Sequence, residues 1–285
     1  MNEYLETMDL YTETALACSR LTTRKYSTSF SLGISMFKKK YHLPIYAIYG
    51  WVRFADEIVD TFHQIDQSHF LERFRSDTYD ALENRFSTNP IMHSFQWVVH
   101  EYRIDPELIE AFLFSMRMDL EQKTFTPEEF KTYVYGSAEV VGLMCLRVFY
   151  PGDDSSYQAL THPARKLGEA FQKINFLRDI KDDFENRGRI YFPDTDFSNF
   201  CSHRKKEIEE DIAADFREAH AGIKELHPDV RNGVYLAYRY YQELLHKIRL
   251  TPAEEILKRR FRVSDKQKIK LLIKAWLRNR AGRIK

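Results

Sequence analysis

One apolar stretch with carboxylates set into it reads Ile45-Tyr-Ala-Ile-Tyr-Gly-Trp-Val-Arg-Phe-Ala-Asp-Glu-Ile-Val-Asp60. Its apolar residues recur at helical spacing, so we predict an amphipathic helix here. At ~100° per residue, Asp56 and Asp60 lie on the apolar stripe of that helix. Two carboxylates one turn apart on an apolar face are unfavourable unless a cation compensates them. That cation could be a divalent metal ion or a buried arginine such as Arg53.

A second acidic stripe occurs in Gln172-Lys-Ile-Asn-Phe-Leu-Arg-Asp-Ile-Lys-Asp-Asp183. The same helical spacing places Gln172, Asn175, Asp179 and Asp183 on one polar stripe. Apolar residues flank this stripe on both sides, which indicates that it lines an interior cavity. Two such stripes favour a metal–diphosphate site between facing helices, because Mg²⁺ prefers one or two carboxylates together with waters and phosphate oxygens.

The composition is typical of a helical globular protein. Gly and Pro supply only 10 and 9 of the 285 residues, and 44% of the residues are hydrophobic, so long helices and a sizeable core are expected. Alternating strand patterns, linkers and repeats are not evident. We predict an all-α fold with one domain over residues 1–285 and helices at 44–62, 67–86, 91–102, 105–122, 128–149, 163–185, 204–226, 228–249 and 264–279.

The net charge of +1 conceals an acidic body and a basic C-terminal segment. Residues 258–285 contain twelve Lys or Arg and one acidic residue, which leaves the first 257 residues at −10. The nearly neutral total disfavours a nucleic-acid binder that depends on bulk charge. The basic segment could contact anionic lipid or a phosphorylated substrate, or it could be a solvated helix.

The cysteines and the N-terminus favour a cytoplasmic protein. Cys18, Cys145 and Cys201 have no metal or redox spacing, so we interpret them as packing residues of a reduced protein. The acidic N-terminus lacks the order of a signal peptide. No stretch approaches the ~18 consecutive apolar residues of a membrane span, so any membrane contact would be peripheral, on the inner face.

Four segments of the chain carry a family resemblance. They are Tyr26-Ser-Thr-Ser-Phe-Ser31, Arg53–Asp60, Tyr133–Met144 and Asn175–Pro193. In this order they resemble the squalene/phytoene synthase family, the head-to-head prenyl-diphosphate synthases, and most of all its bacterial phytoene synthases. The resemblance implies an isoprenoid-synthase-type helical bundle around a central cavity, closed at one end by the two aspartate motifs.

The resemblance also implies roles for individual residues. Two or three Mg²⁺ ions, for which Mn²⁺ could substitute, would be held by Asp56, Asp60, Asn175, Asp179 and Asp183. Those four aspartates and Tyr135 would be the catalytic residues. Aromatic rings, including that of Phe171, could hold cationic intermediates over their π faces. The residues expected to contact substrate are Ser27, Ser29, Phe30, Tyr49, Arg53, Tyr133, Gln172, Asn175, Arg178, Tyr241 and Arg260.

The activity implied is the condensation of two geranylgeranyl diphosphates through a cyclopropyl diphosphate, with release of two diphosphates. Val141-Gly-Leu-Met144 and the chain length favour this phytoene-forming group, which needs no NADPH and serves carotenoid biosynthesis. One alternative is a C30 enzyme that makes squalene, dehydrosqualene or presqualene diphosphate from farnesyl diphosphate. Another is a helical binding protein without activity. Glu139, where the family often has Gly, leaves the product open.

Overall fold

The computed structural model of the chain is built from α-helices. It describes residues 9–186, 188–195 and 200–256, together with the single residues 261 and 267. Within these residues, β structure is limited to one isolated bridge between Thr124 and Ile190. The all-α prediction is therefore confirmed, whereas the extension of one domain over residues 1–285 stays a prediction.

The helices predicted within the described residues are present, and most of their ends lie within two residues of those expected. A 3₁₀ turn at Lys39–Tyr41 precedes the helix that begins at His42, and a π-helical segment at Tyr135–Glu139 joins the helix that ends at Val134 to the one that begins at Val140. The α-helices are α1 (Leu10–Tyr26), α2 (Thr28–Ser35), α3 (His42–Asp60), α4 (Gln67–Asn84), α5 (Pro90–Tyr102), α6 (Pro106–Glu121), α7 (Pro127–Val134), α8 (Val140–Phe149), α9 (Asp154–Asn186), α10 (Ser202–Glu225), α11 (Pro228–Arg249) and α12 (Ala253–Ile256).

Local signals explain where several helices begin. Asp105 caps α6, because its carboxylate accepts a hydrogen bond from the Glu107 N–H at 2.9 Å, and Pro106 occupies the first turn. Helix α7 starts with a capping box, in which the side chains of Thr126 and Glu129 each accept the other residue's backbone N–H. These contacts satisfy donors that the first turn of a helix leaves unpaired.

Helix α9 is longer than predicted, since it begins at Asp154 instead of residue 163. The helix continues through Pro163, although an interior proline removes a backbone hydrogen bond and crowds the preceding turn. Gly222 of α10 lies directly against this proline. A Cβ atom at Gly222 would be 2.4 Å from carbons of the Pro163 ring, so the glycine is what allows α9 and α10 to approach here.

Helices α1 and α2 were not predicted. Helix α1 is capped by Asp9, whose carboxylate accepts the Thr12 N–H at 2.7 Å. Its buried face includes the polar residues Ser19 and Thr23, so the apolar periodicity that marks the other helices is weak. Helix α1 packs against α3 and α5 and thereby supports one wall of the molecule.

The core fixes α3 through Trp51. This fully buried side chain stacks on Phe95 with ring centroids 4.1 Å apart and donates its Nε1–H to the Thr78 hydroxyl at 3.0 Å. A large aromatic side chain held by both packing and a hydrogen bond has little freedom to move. The acidic turns of α3, which follow Trp51 directly, are thus attached to a rigid part of the molecule.

Two expectations about the C-terminal segment lie outside the described residues. They are the helix at 264–279 and the basic segment 258–285, of which only residues 261 and 267 are described. Within the described part of the chain, none of the helices combines the length and the apolar character that a membrane crossing requires.

Candidate active site

A single long cavity brings most of the predicted site residues together. Its volume is about 690 Å³, and along α9 its lining extends from Leu160 to Asp183. At about 1.5 Å per residue, that stretch of helix is roughly 35 Å long. The predicted residues that line the cavity are Ser27, Ser29, Phe30, Tyr49, Arg53, Asp56, Asp60, Tyr133, Phe171, Gln172, Asn175, Arg178, Asp179, Asp183 and Tyr241.

The two aspartate motifs meet at one end of this cavity, at the C-terminal turns of α3 and α9. Arg189 connects them, since its backbone N–H donates to the Asp183 carbonyl at 2.9 Å while its Nη1 donates to Asp60 Oδ1 at 3.0 Å. We call this the acidic end, defined by Asp56, Asp60, Asp179 and Asp183. The rest of the lining is mainly apolar, so the cavity has one charged end and a long apolar body.

Arg53 stands beside the first motif without neutralising it. The distance from its Nη1 to Asp56 Oδ2 is 3.9 Å, whereas its main ion pair is with Glu57. The guanidinium also lies over the Tyr26 ring, 4.6 Å from the centroid. Its Nε is buried and has no hydrogen-bond partner. A buried donor without an acceptor is costly, and this one belongs to a side chain that lines the cavity.

The second motif is ordered by a chain of hydrogen bonds. Tyr241 donates its hydroxyl to Asn175 Oδ1 at 3.1 Å, and Asn175 donates Nδ2–H to Gln172 Oε1 at 3.2 Å. Arg178 binds Asp179, with Nη2 2.6 Å from Oδ2. Burial alone would lower the pKa of Arg178, but the hydrogen bonds and charge of Asp179 raise it above its ordinary value. Arg178 therefore remains a cation at the acidic end.

A buried polar cluster next to the acidic end was missed by the sequence analysis. Asp119 of α6 accepts hydrogen bonds from the hydroxyls of Tyr133, at 2.7 Å, and Tyr191, at 2.9 Å. Arg189 Nη1 lies 3.7 Å from the same carboxylate and 3.0 Å from Asp60. Asp119 and Tyr191 both line the cavity, so this cluster joins α6 and the segment after α9 to the first motif.

Burial dominates the electrostatics of this cluster. It raises the pKa of Asp119 to about 6, in spite of the nearby Arg189 cation. It also raises the pKa values of Tyr133 and Tyr191 well above those of free tyrosine, and the negative charge of Asp119 adds to this effect. The two phenols therefore stay protonated as hydrogen-bond donors, and near neutral pH the carboxyl group is mostly ionised.

Aromatic rings cover the wall near the acidic end. Phe30 stacks on Tyr49 with centroids 4.7 Å apart, and Phe176 stacks on Tyr191 at 4.2 Å. Desolvation raises the pKa of Tyr49 to about 12, so its ring stays neutral. Neutral aromatic faces attract cations, so this wall can stabilise positive charge in an otherwise apolar space.

The comparisons with known proteins agree with this geometry. Residues 23–267 match the family model described as squalene/phytoene synthase. The chain belongs to the squalene/phytoene synthase family. It is 31% identical to the 15-cis-phytoene synthase of Synechococcus elongatus over 262 residues, which cover 81% of this chain and 82% of that protein. It is 30% identical to the phytoene synthase of Arthrospira platensis over 257 residues, or 80% and 82% of the two chains.

Solved structures share the fold of this family member. A dehydrosqualene synthase in complex with a ligand superposes with a TM-score of 0.79 at 22% identity and covers 95% of this chain and 98% of that one. A squalene synthase from Alicyclobacillus acidocaldarius superposes with a TM-score of 0.74 at 19% identity, over 89% and 98% of the two chains. The predicted isoprenoid-synthase-type fold is confirmed. Members of the squalene/phytoene synthase family are prenyltransferases, and so is this chain.

The oxygen donors of the acidic end suit the divalent metal that such enzymes generally use. Its donors are carboxylate and amide oxygens, the ligands that Mg²⁺ prefers. Within the described residues, no three carboxylate, histidine or cysteine side chains form a ready-made cage for an ion. Mg²⁺ commonly takes one or two carboxylates and completes its shell with water and substrate phosphates. The residues therefore fit a metal that binds together with a diphosphate.

Two residues singled out from the sequence do not line the cavity of this squalene/phytoene synthase family member. Tyr135, predicted as a catalytic residue, is not among the residues that line the cavity, and its ring centroid lies 5.0 Å from the Arg165 guanidinium carbon. Glu139 is buried and accepts from Arg165 Nε at 2.6 Å. Both lie on the π-helical segment, whose register turns Ser137 and Ala138 toward the cavity instead. Arg260, the remaining predicted contact, lies outside the described residues.

Proposed function

We propose that this chain is a phytoene synthase. It condenses two geranylgeranyl diphosphates head to head through a cyclopropyl diphosphate and releases both diphosphates, as a step of carotenoid biosynthesis. The observation that carries the proposal is the single cavity in which two aspartate motifs share one end of a long apolar space. The similarity to two cyanobacterial phytoene synthases, at 30–31% identity over four fifths of the chain, supports this member of the family over its C30 relatives.

The acidic end would bind the metal and the diphosphates. Asp56, Asp60, Asp179 and Asp183, with Asn175 beside them, would hold two or three Mg²⁺ ions. When bound, Mg²⁺ acts as a Lewis acid that stabilises negative charge on the departing diphosphate.

Basic and hydroxyl groups around the aspartates would orient the diphosphates. Arg53 offers its unpartnered Nε–H, and Arg178 supplies a guanidinium that is ionised at any physiological pH. Ser29 lines the cavity on the first turn of α2, while Ser27 caps that helix by accepting the Phe30 N–H at 3.2 Å. Tyr241 acts on the second motif, because its hydrogen bond fixes the Asn175 amide. Together these groups would place both leaving groups at one end.

The apolar body would hold the two prenyl chains and exclude water from their cationic forms. The C1–O bond of one substrate breaks, the double bond of the second substrate attacks C1, and proton loss closes the cyclopropane. Loss of the second diphosphate, rearrangement and a further proton loss then give a triene, so no reductant is consumed. The stacked rings of Phe30 and Tyr49 lie where their faces can stabilise positive charge.

We infer a cytoplasmic location with peripheral contact at the inner face of the membrane. The support is the apolar character of prenyl substrates and products, together with the twelve basic residues in 258–285. Basic segments are attracted to anionic headgroups.

Product identification tests the proposed function. Purified protein would be given geranylgeranyl or farnesyl diphosphate separately, with Mg²⁺ or with a chelator, and with or without NADPH. We expect a C40 triene from geranylgeranyl diphosphate, only with Mg²⁺ and equally without NADPH, identified by mass spectrometry. Preferred use of farnesyl diphosphate would show a C30 enzyme. The absence of product from folded protein with either substrate would contradict the proposed catalytic function. Asp56→Ala and Asp183→Ala serve as inactive controls.

A further inference from the structure

Arg189 lies between two carboxylates at the edge of the acidic end. Its Nη1 is 3.0 Å from Asp60 Oδ1 and 3.7 Å from Asp119 Oδ1. Its Nη2 donates to the Val59 carbonyl at 3.2 Å, and its backbone N–H donates to the Asp183 carbonyl at 2.9 Å. The residue is thus anchored at both ends, while its Nη1 can exchange one carboxylate for the other by moving less than the length of a hydrogen bond.

The two carboxylates differ in their surroundings. The side chain of Asp119 is 5% exposed and that of Asp60 is 28% exposed. Asp119 also accepts hydrogen bonds from two phenols, Tyr133 and Tyr191, which are themselves buried. A buried carboxylate with two fixed donors is a stationary acceptor, whereas Asp60 is open to the cavity and to whatever binds there.

Metal binding creates a conflict for Asp60. Under the proposed function this carboxylate binds a divalent cation, and a guanidinium at 3.0 Å on the same carboxylate would be strongly repelled by that ion. A buried cation cannot be left without a partner except at considerable cost. Nη1 also donates to the Tyr191 hydroxyl at 3.4 Å, but that acceptor is neutral. Asp119 is a nearby carboxylate that could pair with the guanidinium, because it already lies within 4 Å of the same Nη1.

We propose that Asp119 is a positioning residue that takes over the Arg189 guanidinium from Asp60 when Asp60 binds metal. The inference rests on the proposed metal role of Asp60. Without the Asp119 charge, Arg189 would stay on Asp60 and compete with the metal for it. Asp119 would then act through Arg189, and its effect would appear in metal affinity rather than only in turnover.

Direct metal titration of full-length protein tests this role. Mn²⁺ binding would be followed by electron paramagnetic resonance at pH 7.5 with inorganic diphosphate present, so that no turnover is needed. Asp119→Asn keeps the shape but removes the charge, and we expect its Mn²⁺ affinity to be about 5- to 50-fold weaker. In an Arg189→Gln background, the same substitution should have no further effect. Asp215→Asn, at a buried carboxylate that is not part of the cavity lining, is the matched control and should bind as the wild type does.

Several outcomes would overturn the inference. Folded Asp119→Asn protein with wild-type affinity would do so, and so would an equal loss of affinity with and without Arg189. Should Asp119→Asn fail to fold, crystal structures of the wild type with and without Mn²⁺ and diphosphate would test the inference. We expect the shorter contact of Arg189 Nη1 to move from Asp60 to Asp119 when Mn²⁺ is bound. A guanidinium that still contacts Asp60 in that structure would contradict the inference. Asp60→Asn separates the two proposals, because unchanged Mn²⁺ binding in that variant would refute the proposed metal site itself.

Discussion

Helix α9 carries charged residues on two faces, and the two faces have different surroundings. One face lines the cavity with Gln172, Asn175 and Asp179. The other packs on α10 through a group that we call the lysine cluster, which consists of Lys166, Glu169, Lys173, Asp211 and Asp215.

The side chains of the lysine cluster pair mainly with one another, whereas those of the acidic end line the cavity. Lys173 is 2.7 Å from both Glu169 and Asp215, and Lys166 is 2.9 Å from Asp215. These side chains satisfy one another between two helices and do not line the cavity. At the acidic end, Arg53 keeps a buried Nε without an acceptor. Buried charged residues therefore do not by themselves indicate a functional site. Polar groups that line a cavity and include a donor without an acceptor do indicate one.

Removing a carboxylate from the acidic end gives the largest expected effect and is the first test of this contrast. We expect Asp56→Asn to lower kcat/KM at least about 10³-fold, because the substitution removes charge stabilisation that acts on the leaving group. Its free energy of unfolding should change by less than about 1 kcal/mol, since the Asp56 side chain is one-third exposed. Product formation and thermal unfolding measure the two quantities. A loss of stability that parallels the loss of activity would erase the distinction between the two regions.

An Asp-to-Asn substitution in the lysine cluster should instead lower the stability of the protein and leave substrate binding unchanged. Asp215→Asn removes the more deeply buried of the two carboxylates that Lys173 and Lys166 share, so we expect the free energy of unfolding to fall by about 3 kcal/mol. The KM for substrate and the Mn²⁺ affinity should be unchanged. Asp211→Asn is the matched control, because Asp211 contacts the same Lys173 but is more than half exposed, and its effect should stay below about 1 kcal/mol. Chemical denaturation and steady-state kinetics would measure both variants.

The titration of Asp119 is expected to have the smallest of the three effects, and a pH series measures it. Burial raises the pKa of Asp119 to about 6, so the native state holds this proton more tightly than the unfolded chain does. The contribution of Asp119 to the free energy of unfolding is therefore largest at low pH and falls as pH rises from about 4 to above 6. At about 1.4 kcal/mol per pKa unit, the change amounts to at most about 3 kcal/mol.

The measurement is the difference in unfolding free energy between wild type and Asp119→Asn from pH 4 to 8. That difference should shift against the wild type as pH rises and should level off above pH 7. A difference that stays constant over this range would show that Asp119 does not titrate there.

Periodicity was sufficient to predict the main helices and the two faces that line the cavity. The stripes of α3 and α9 could be found because an acidic residue on an apolar helix face is anomalous. The same signal was present in α6, where Asp119 follows Phe112 and Met116 on the buried face, but a single carboxylate forms no acidic stripe. Only the tertiary structure reveals that this carboxylate reaches the cavity.

Other features could not be predicted because they depend on distant parts of the chain. Arg189 and Tyr191 follow Gly188, which adopts a φ of 65°, a conformation that glycine permits, and no helical spacing relates them to Asp60 or Asp119. Helices α9 and α10 approach closely at Pro163 because Gly222 of α10 leaves space for the ring. The π-helical segment Tyr135–Glu139, which brings Ser137 and Ala138 to the cavity, also departs from the regular helical spacing on which the prediction of residues 128–149 was based.

The position of both aspartate motifs at one end also determines how the product would be shaped. Two substrates anchored there by their heads must lie side by side, with both tails running in the same direction. Under the proposed function, the new bond joins the two heads, so the product is formed as a hairpin whose bend lies at the acidic end. The width of the cavity, more than its length, then determines whether a second prenyl chain can bind. A side chain that narrowed the apolar part of the cavity would leave an enzyme that can ionise one substrate but cannot couple two.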